Sequence, residues 1–123
     1  MGLLIPVSIG EVVDKITILE IKQTKTKDAT QLANITHELD ELWFILNKSV
    51  GIEIGKYFPT LVAVNLKIWD IEDQIRQCER EGVFDDQFIS LARSVYIEND
   101  ERARLKKIIN KEMSSDIVEE KIY

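Results

Sequence analysis

The sequence predicts an all-α fold: a largely antiparallel bundle of four main helices with an extended N-terminal arm and a short docked C-terminal tail. Three observations predict it. Apolar residues recur at helical spacing in four separate segments. Residues that start or stop helices stand between those segments. Only 5 Gly and 2 Pro occur in 123 residues, too little turn material for an all-β fold.

Residues 3–7 read as an extended arm packed on the domain or on a second subunit. The first helix follows Ser8, because Ser8-Ile9-Gly10-Glu11 matches a capping box in which a hydroxyl and a carboxylate serve each other's orphan N–H groups. Ile9, Val12, Val13, Ile16 and Leu19 form its apolar stripe, while Ile18 and Ile21 fall on the opposite side. A short helix apolar on two sides is either central in the bundle or shared with another chain. It should end in the polar residues 24–27.

The second helix is capped by Asp28, with Leu32, Ile35, Leu39, Leu42, Trp43, Leu46 and Val50 on one face and His37, Glu38, Asp40 and Glu41 on the other. Gly51 and Gly55 end it, with Ile52 and Ile54 suggesting a buried crossover. Pro59 suits the first turn of a third helix over residues 59–80, where its missing N–H costs nothing. Leu61, Val64, Ile68, Ile71, Ile75 and Cys78 repeat as a heptad seam, which favours near-antiparallel packing. Gly82 stops it. Asp85 or Asp86 caps the fourth helix, whose stripe is Phe88, Leu91, Ala92, Val95, Arg102, Leu105 and Ile109; it either continues through Asn99 or restarts there. Residues 111–123 form a charged tail, expected to dock because its apolar residues need cover.

Composition narrows the function classes. Residues 1–123 make one helical domain, long enough for a core without disulfides or metals. With 45% hydrophobic and 31% charged residues the chain should fold. A net charge of -6 argues against nucleic acid or an anionic membrane as partner, since phosphate contacts need clustered cations. Cys78 is the only cysteine, which fits a reducing, cytoplasmic compartment. No signal peptide is expected in the short run ended by Pro6, and no stretch approaches the roughly 20 apolar residues of a spanning helix.

The candidate site comes from charged residues that the periodicity turns inward. Asn65, Glu72, Arg76 and Glu79 share a strip of the third helix between the heptad seam and the edge formed by Val62, Leu66 and Trp69. Glu72 and Arg76 have the favourable acid-first spacing of four. Asn99, Arg102 and Lys106 stack on the fourth helix, and Glu20 sits on the first helix's stripe. Charge leaving water needs a partner or a ligand. Three readings follow: a closed network pairing Glu20 or Glu72 with Arg102 or Arg76, a pocket in which Arg76, Arg93 or Arg102 grips a small anion, or a subunit interface.

Other chemical signals are weak. His37 is the sole histidine, on a solvated face beside Glu41, too few ligands for zinc. Cys78 on the seam reads as a small buried hydrophobe. No catalytic triad, metal set, glycine-rich phosphate loop or cofactor motif can be assembled. Glu72 and Asp73, with Glu98 and Glu101, superficially resemble the carboxylates of all-α nucleotide pyrophosphohydrolases that hold Mg²⁺, although only Glu72 faces inward by this count.

As a set, certain segments resemble a known family. Residues 5–22 are similar to the opening of a family of small bacterial proteins of unknown function. Residues 66–76, with the Trp69-Asp70-Ile71-Glu72-Asp73 core, resemble its middle motif. Residues 92–110, with Arg93, Tyr96, Asn99-Asp100-Glu101-Arg102 and Leu105-Lys106, resemble its third. Glu119-Glu120-Lys121 also fits, though Ile122-Tyr123 departs from an expected Ser-Tyr ending. The resemblance implies no activity and transfers no catalytic residue. It does place Glu20, Glu72, Asn99, Arg102 and Lys106 inside the resembling segments. The expectation is a non-enzymatic cytoplasmic module that binds a partner or a small anionic ligand through its polar inner strip. It should form a homodimer through Ile18, Ile21, Phe44 and Ile45, which lie outside the main stripes. The alternative is a Mg²⁺-dependent hydrolase of a phosphorylated substrate.

Overall fold

The computed structural model describes residues 1–50 and 56–123. It contains α1 (Ile9–Lys25), α2 (Ala29–Ser49), α3 (Phe58–Glu81) and α4 (Asp86–Glu112), with no strand among the described residues. The expected crossover at Ile52 and Ile54 lies outside them. The caps are those the sequence predicts. Ser8, Asp28 and Asp85 each accept a hydrogen bond from a first-turn N–H. Gly82 ends α3 in the left-handed region at φ 66°. α4 runs unbroken through Asn99.

Helix lengths decide the architecture. At about 1.5 Å per residue α1 spans about 26 Å, whereas α3 and α4 span about 36 and 40 Å. The α3–α4 hairpin therefore outreaches the helix it packs on. α1 is the centre: it packs against α2, α3 and α4, while α2 rests chiefly on α1. The core joins Val12, Val13, Ile16 and Leu19 of α1 to Leu39 and Leu46 of α2, Leu61 of α3, and Leu105 and Ile109 of α4. Beyond it the seam thins. Ile75, Cys78, Phe88, Leu91 and Val95 are only half-buried and Ala92 is exposed, because each has a single helix to lie against. Phe84 and Phe88 close the tip edge to face, 5.1 Å between centroids.

Central α1 explains its two apolar sides. Ile21, 4% exposed, is buried within the chain itself rather than held for a second subunit, and Ile18 is half-buried. Phe44 and Ile45 do remain exposed.

One expectation narrows and another needs correction. Of the two placements expected for the N-terminal arm, packing on its own domain is not found: Leu3, Leu4, Ile5 and Val7 are exposed. The tail docks, but through charge and not its apolar residues. Glu119 pairs with Lys106 at 2.8 Å, Glu120 with Lys107 at 2.8 Å and Asp100 with Lys121 at 3.8 Å, while Ile122 and Tyr123 face solvent.

The α1 N-terminus shows how tightly the ends are joined. Ser115 Oγ accepts from the Ile9 N–H at 3.1 Å, Asn110 Oδ1 from Gly10 at 2.6 Å, and Ser8 Oγ from Glu11 at 3.1 Å. These are donors a helix start leaves orphaned. Two of the three partners come from about 100 residues away. Only half of the capping box forms, since the Glu11 carboxylate turns instead to Lys106.

Candidate functional site

A buried aspartate that the sequence reading did not single out organises the polar interior. Asp14, 0% exposed, projects from the middle of α1. Arg102 of α4 donates to it through Nε, at 3.0 Å to Oδ1 and 3.1 Å to Oδ2, and through Nη2 to Oδ2. Asn65 of α3 donates from Nδ2 to Asp14 Oδ1 at 2.9 Å and to Thr17 Oγ1 at 2.6 Å. Thr17 in turn donates to the Asp14 carbonyl at 2.7 Å. The cluster thus ties three helices together, and the Thr17 hydroxyl serves both ways: it accepts from Asn65 while its own hydrogen goes to the Asp14 carbonyl.

Arg102 is anchored by one edge only. Its side chain is 28% exposed, and Nη1 makes just a long 3.5 Å contact to Asn99 Oδ1. Asp14 holds the guanidinium pKa above its ordinary value, and burial opposes without prevailing. Beside it Lys106 Nζ lies 2.6 Å from Glu11 Oε2 and 2.8 Å from Glu119 Oε1. Burial is the largest single influence on this ammonium and acts to lower its pKa. The hydrogen bonds to Glu11 and Glu119 together outweigh it, so the net shift is upward.

Arg102 forms a wall of two clefts. The first, about 430 Å³, is lined by Ile18 of α1, by Asn65, Ile68, Trp69, Glu72, Asp73 and Arg76 of α3, and by Arg102. The second, about 770 Å³, lies between α4 and the tail, where Asn99, Arg102 and Lys106 face Glu119, Lys121 and Tyr123. The two differ in how their charges are spent. The cations beneath the tail are already engaged by carboxylates. In the first cleft neither Glu72 nor Arg76 has an ion-pair partner among the described residues.

The predicted residues therefore divide. Glu72, Arg76 and Arg102 meet in one cleft, and Asn99, Arg102 and Lys106 in the other. Arg93 is exposed and lines neither. Glu20 is half-buried, past Leu19, where the α1–α2 contact gives way to a polar one between Gln23 and Thr36 at 3.2 Å. It joins no ion pair or side-chain hydrogen bond among the described residues, and the expected pairing of Glu20 or Glu72 with Arg102 is replaced by Asp14. The signal for Asp14 was present. Ile18 and Ile21 lie one and two turns on from it, so Asp14 sits inside α1's second apolar face. Glu11 and Glu119 were visible only as a cap and as part of a tail.

The carboxylates considered for Mg²⁺ are dispersed. Glu98 pairs with Lys67 at 2.8 Å and Glu101 with Arg104 at 2.6 Å. No group of three or more His, Cys, Asp or Glu able to hold a metal ion stands among the described residues. Cys78, expected as buried, is half-buried, and His37 is exposed. No helix among the described residues is long and apolar enough to cross a membrane.

Comparison with known proteins agrees with the resemblance in the motifs. No curated protein and no solved structure matches the chain. A family model does, over residues 3–123, and the chain belongs to the family it describes, the Family of unknown function (DUF6165).

Proposed function

We propose that this chain is a non-enzymatic binding module whose ligand, small and bearing an anionic group, occupies the cleft between α1, α3 and α4. One observation carries the reading. Arg102 is clamped along one edge by a fully buried carboxylate and shares the cleft wall with Arg76 and Glu72, which have no ion-pair partner among the described residues. A guanidinium held this way is pre-oriented for a carboxylate or phosphate, whose geometry it matches bidentately. The cleft volume of about 430 Å³ suits a single small molecule.

The same reading makes residues 1–123 one domain, acting in the cytoplasm of a bacterial cell. The one unpaired cysteine, Cys78, supports a reducing compartment. A homodimer is part of the proposal, supported by the exposed Phe44 and Ile45 and by the uncovered arm at Leu3, Leu4 and Ile5.

A thermal-shift series with phosphate, acetate and citrate tests the ligand assignment. The melting temperature should rise with one of these anions, and Arg76→Gln should abolish the rise. Arg76 is exposed, so its own removal changes stability by no more than about 0.5 kcal/mol. Arg102→Met is the less clean variant, because it strands Asp14 and costs about 3 kcal/mol. Absence of any anion response would refute the assignment. A Mg²⁺ response lost in Glu72→Gln would favour the hydrolase instead.

A further inference from the structure

We propose that the ligand of the α1–α3–α4 cleft is a small zwitterion with a hydrocarbon body, its carboxylate on Arg102 and Arg76 and its ammonium on Glu72 and the Asn65 side-chain oxygen. This rests on the cleft being a ligand site, and it adds the ligand's second charge.

Charge within the cleft is the first reason. Arg102 is neutralised by Asp14, which leaves the Arg76 cation against two carboxylates, Glu72 and Asp73. A plain anion would meet Arg76 and the open edge of Arg102, but it would lie against those two acids. Like charges brought together in a partly buried site are costly. A plain cation would meet the acids and lie against both arginines. Only a molecule with both signs satisfies both walls.

Asn65 supplies the second reason. A carboxylate cannot donate, so the amide group 2.9 Å from Asp14 Oδ1 must be the nitrogen, and this chemistry fixes the orientation of the side chain. Nδ2 is spent on Asp14 and Thr17. Oδ1 receives no hydrogen bond among the described residues and stays accessible to solvent, on a residue that lines the cleft. An amide oxygen open to the cleft is an acceptor that a ligand can use. An ammonium offers three donors.

The third reason is the apolar lining. Ile18, Ile68 and Trp69 would hold hydrocarbon, and an indole face also favours an adjacent ammonium.

The experiment uses the full chain and isothermal calorimetry at low ionic strength. Probes are the standard amino acids and the ω-amino acids from β-alanine to 6-aminohexanoate, followed by the N-acetyl and carboxamide forms of the tightest binder. The expected result is a zwitterion that binds at least tenfold more tightly than either blocked form. In Glu72→Gln it should lose about tenfold while the N-acetyl form is unaffected. If the N-acetyl form binds as tightly, or only phosphate, acetate or citrate responds, the zwitterion is refuted and the anion site stands. If the carboxamide binds as tightly, or nothing binds, both are refuted.

Discussion

Asp14 and Lys106 show opposite ways of keeping a charge away from water. Asp14 is fully buried and is held by Arg102 and Asn65. Lys106 is buried but reaches the rim, where two carboxylates share it. The second arrangement has a pH signature with a definite sign. Since the Lys106 pKa is raised on folding, its stabilising contribution is complete below the ordinary lysine value of about 10.4. It is lost only as pH rises through the higher folded value. Urea denaturation from pH 7 to 11.5 should therefore show a steeper alkaline loss of stability in the wild type than in Lys106→Met. Between pH 7 and 9 the difference between the two should be constant. Equal alkaline slopes would contradict the assignment.

At the scale of elements, the contact that sets the site is the approach of α1 to α4. A Cβ placed on Gly10 would lie 2.6 Å from the Lys106 carbonyl oxygen and 2.9 Å from Asn110 Oδ1. The first of these is backbone and cannot swing aside. Gly10→Ala should force the helices apart, costing about 1–3 kcal/mol by overpacking. The shift should also lengthen the Asp14–Arg102 pair further along the same two helices. Chemical denaturation measures the cost. A variant as stable as wild type would show that α1 and α4 do not need this closeness. Part of the cost falls on the cap itself, since Asn110 Oδ1 holds the Gly10 N–H while its Nδ2 finds no partner among the described residues.

For the whole molecule, the uncovered apolar surface bears on assembly. Phe44 is 67% exposed on α2, the helix with the least of its surface packed by the other three. Ile45 is exposed beside it, and the arm at Leu3, Leu4 and Ile5 adds more. Sedimentation equilibrium should give twice the chain mass for wild type and the single mass for Phe44→Asp. A wild type that stays monomeric at millimolar concentration would remove the dimer from the proposal. Dimerisation would leave the ligand cleft open, because α2 does not line it.

The sequence by itself determined the helices, because capping, periodicity and chain breaks are local properties. Ser8, Asp28, Pro59 and Gly82 mark helix ends correctly with no help from the rest of the chain, and of the two caps open for α4 it is Asp85 that serves. It also marked Glu72, Arg76, Asn99, Arg102 and Lys106 as charged or polar groups on faces meant for contact. Only the tertiary structure decided which charges became partners. Periodicity gives the direction a side chain points but not what stands opposite, nor how deep the helix lies at that height. Glu20 points along a buried stripe yet falls past the core, and Asp14 is buried because a third helix covers α1's second face. The tail's Glu119 reaches Lys106 because the chain turns back along α4 after its end, and Ser115 of the same turn meets the start of α1. The bonds that tie α1 to α4 and the tail join residues 88 to 106 positions apart, a separation over which no local pattern carries information.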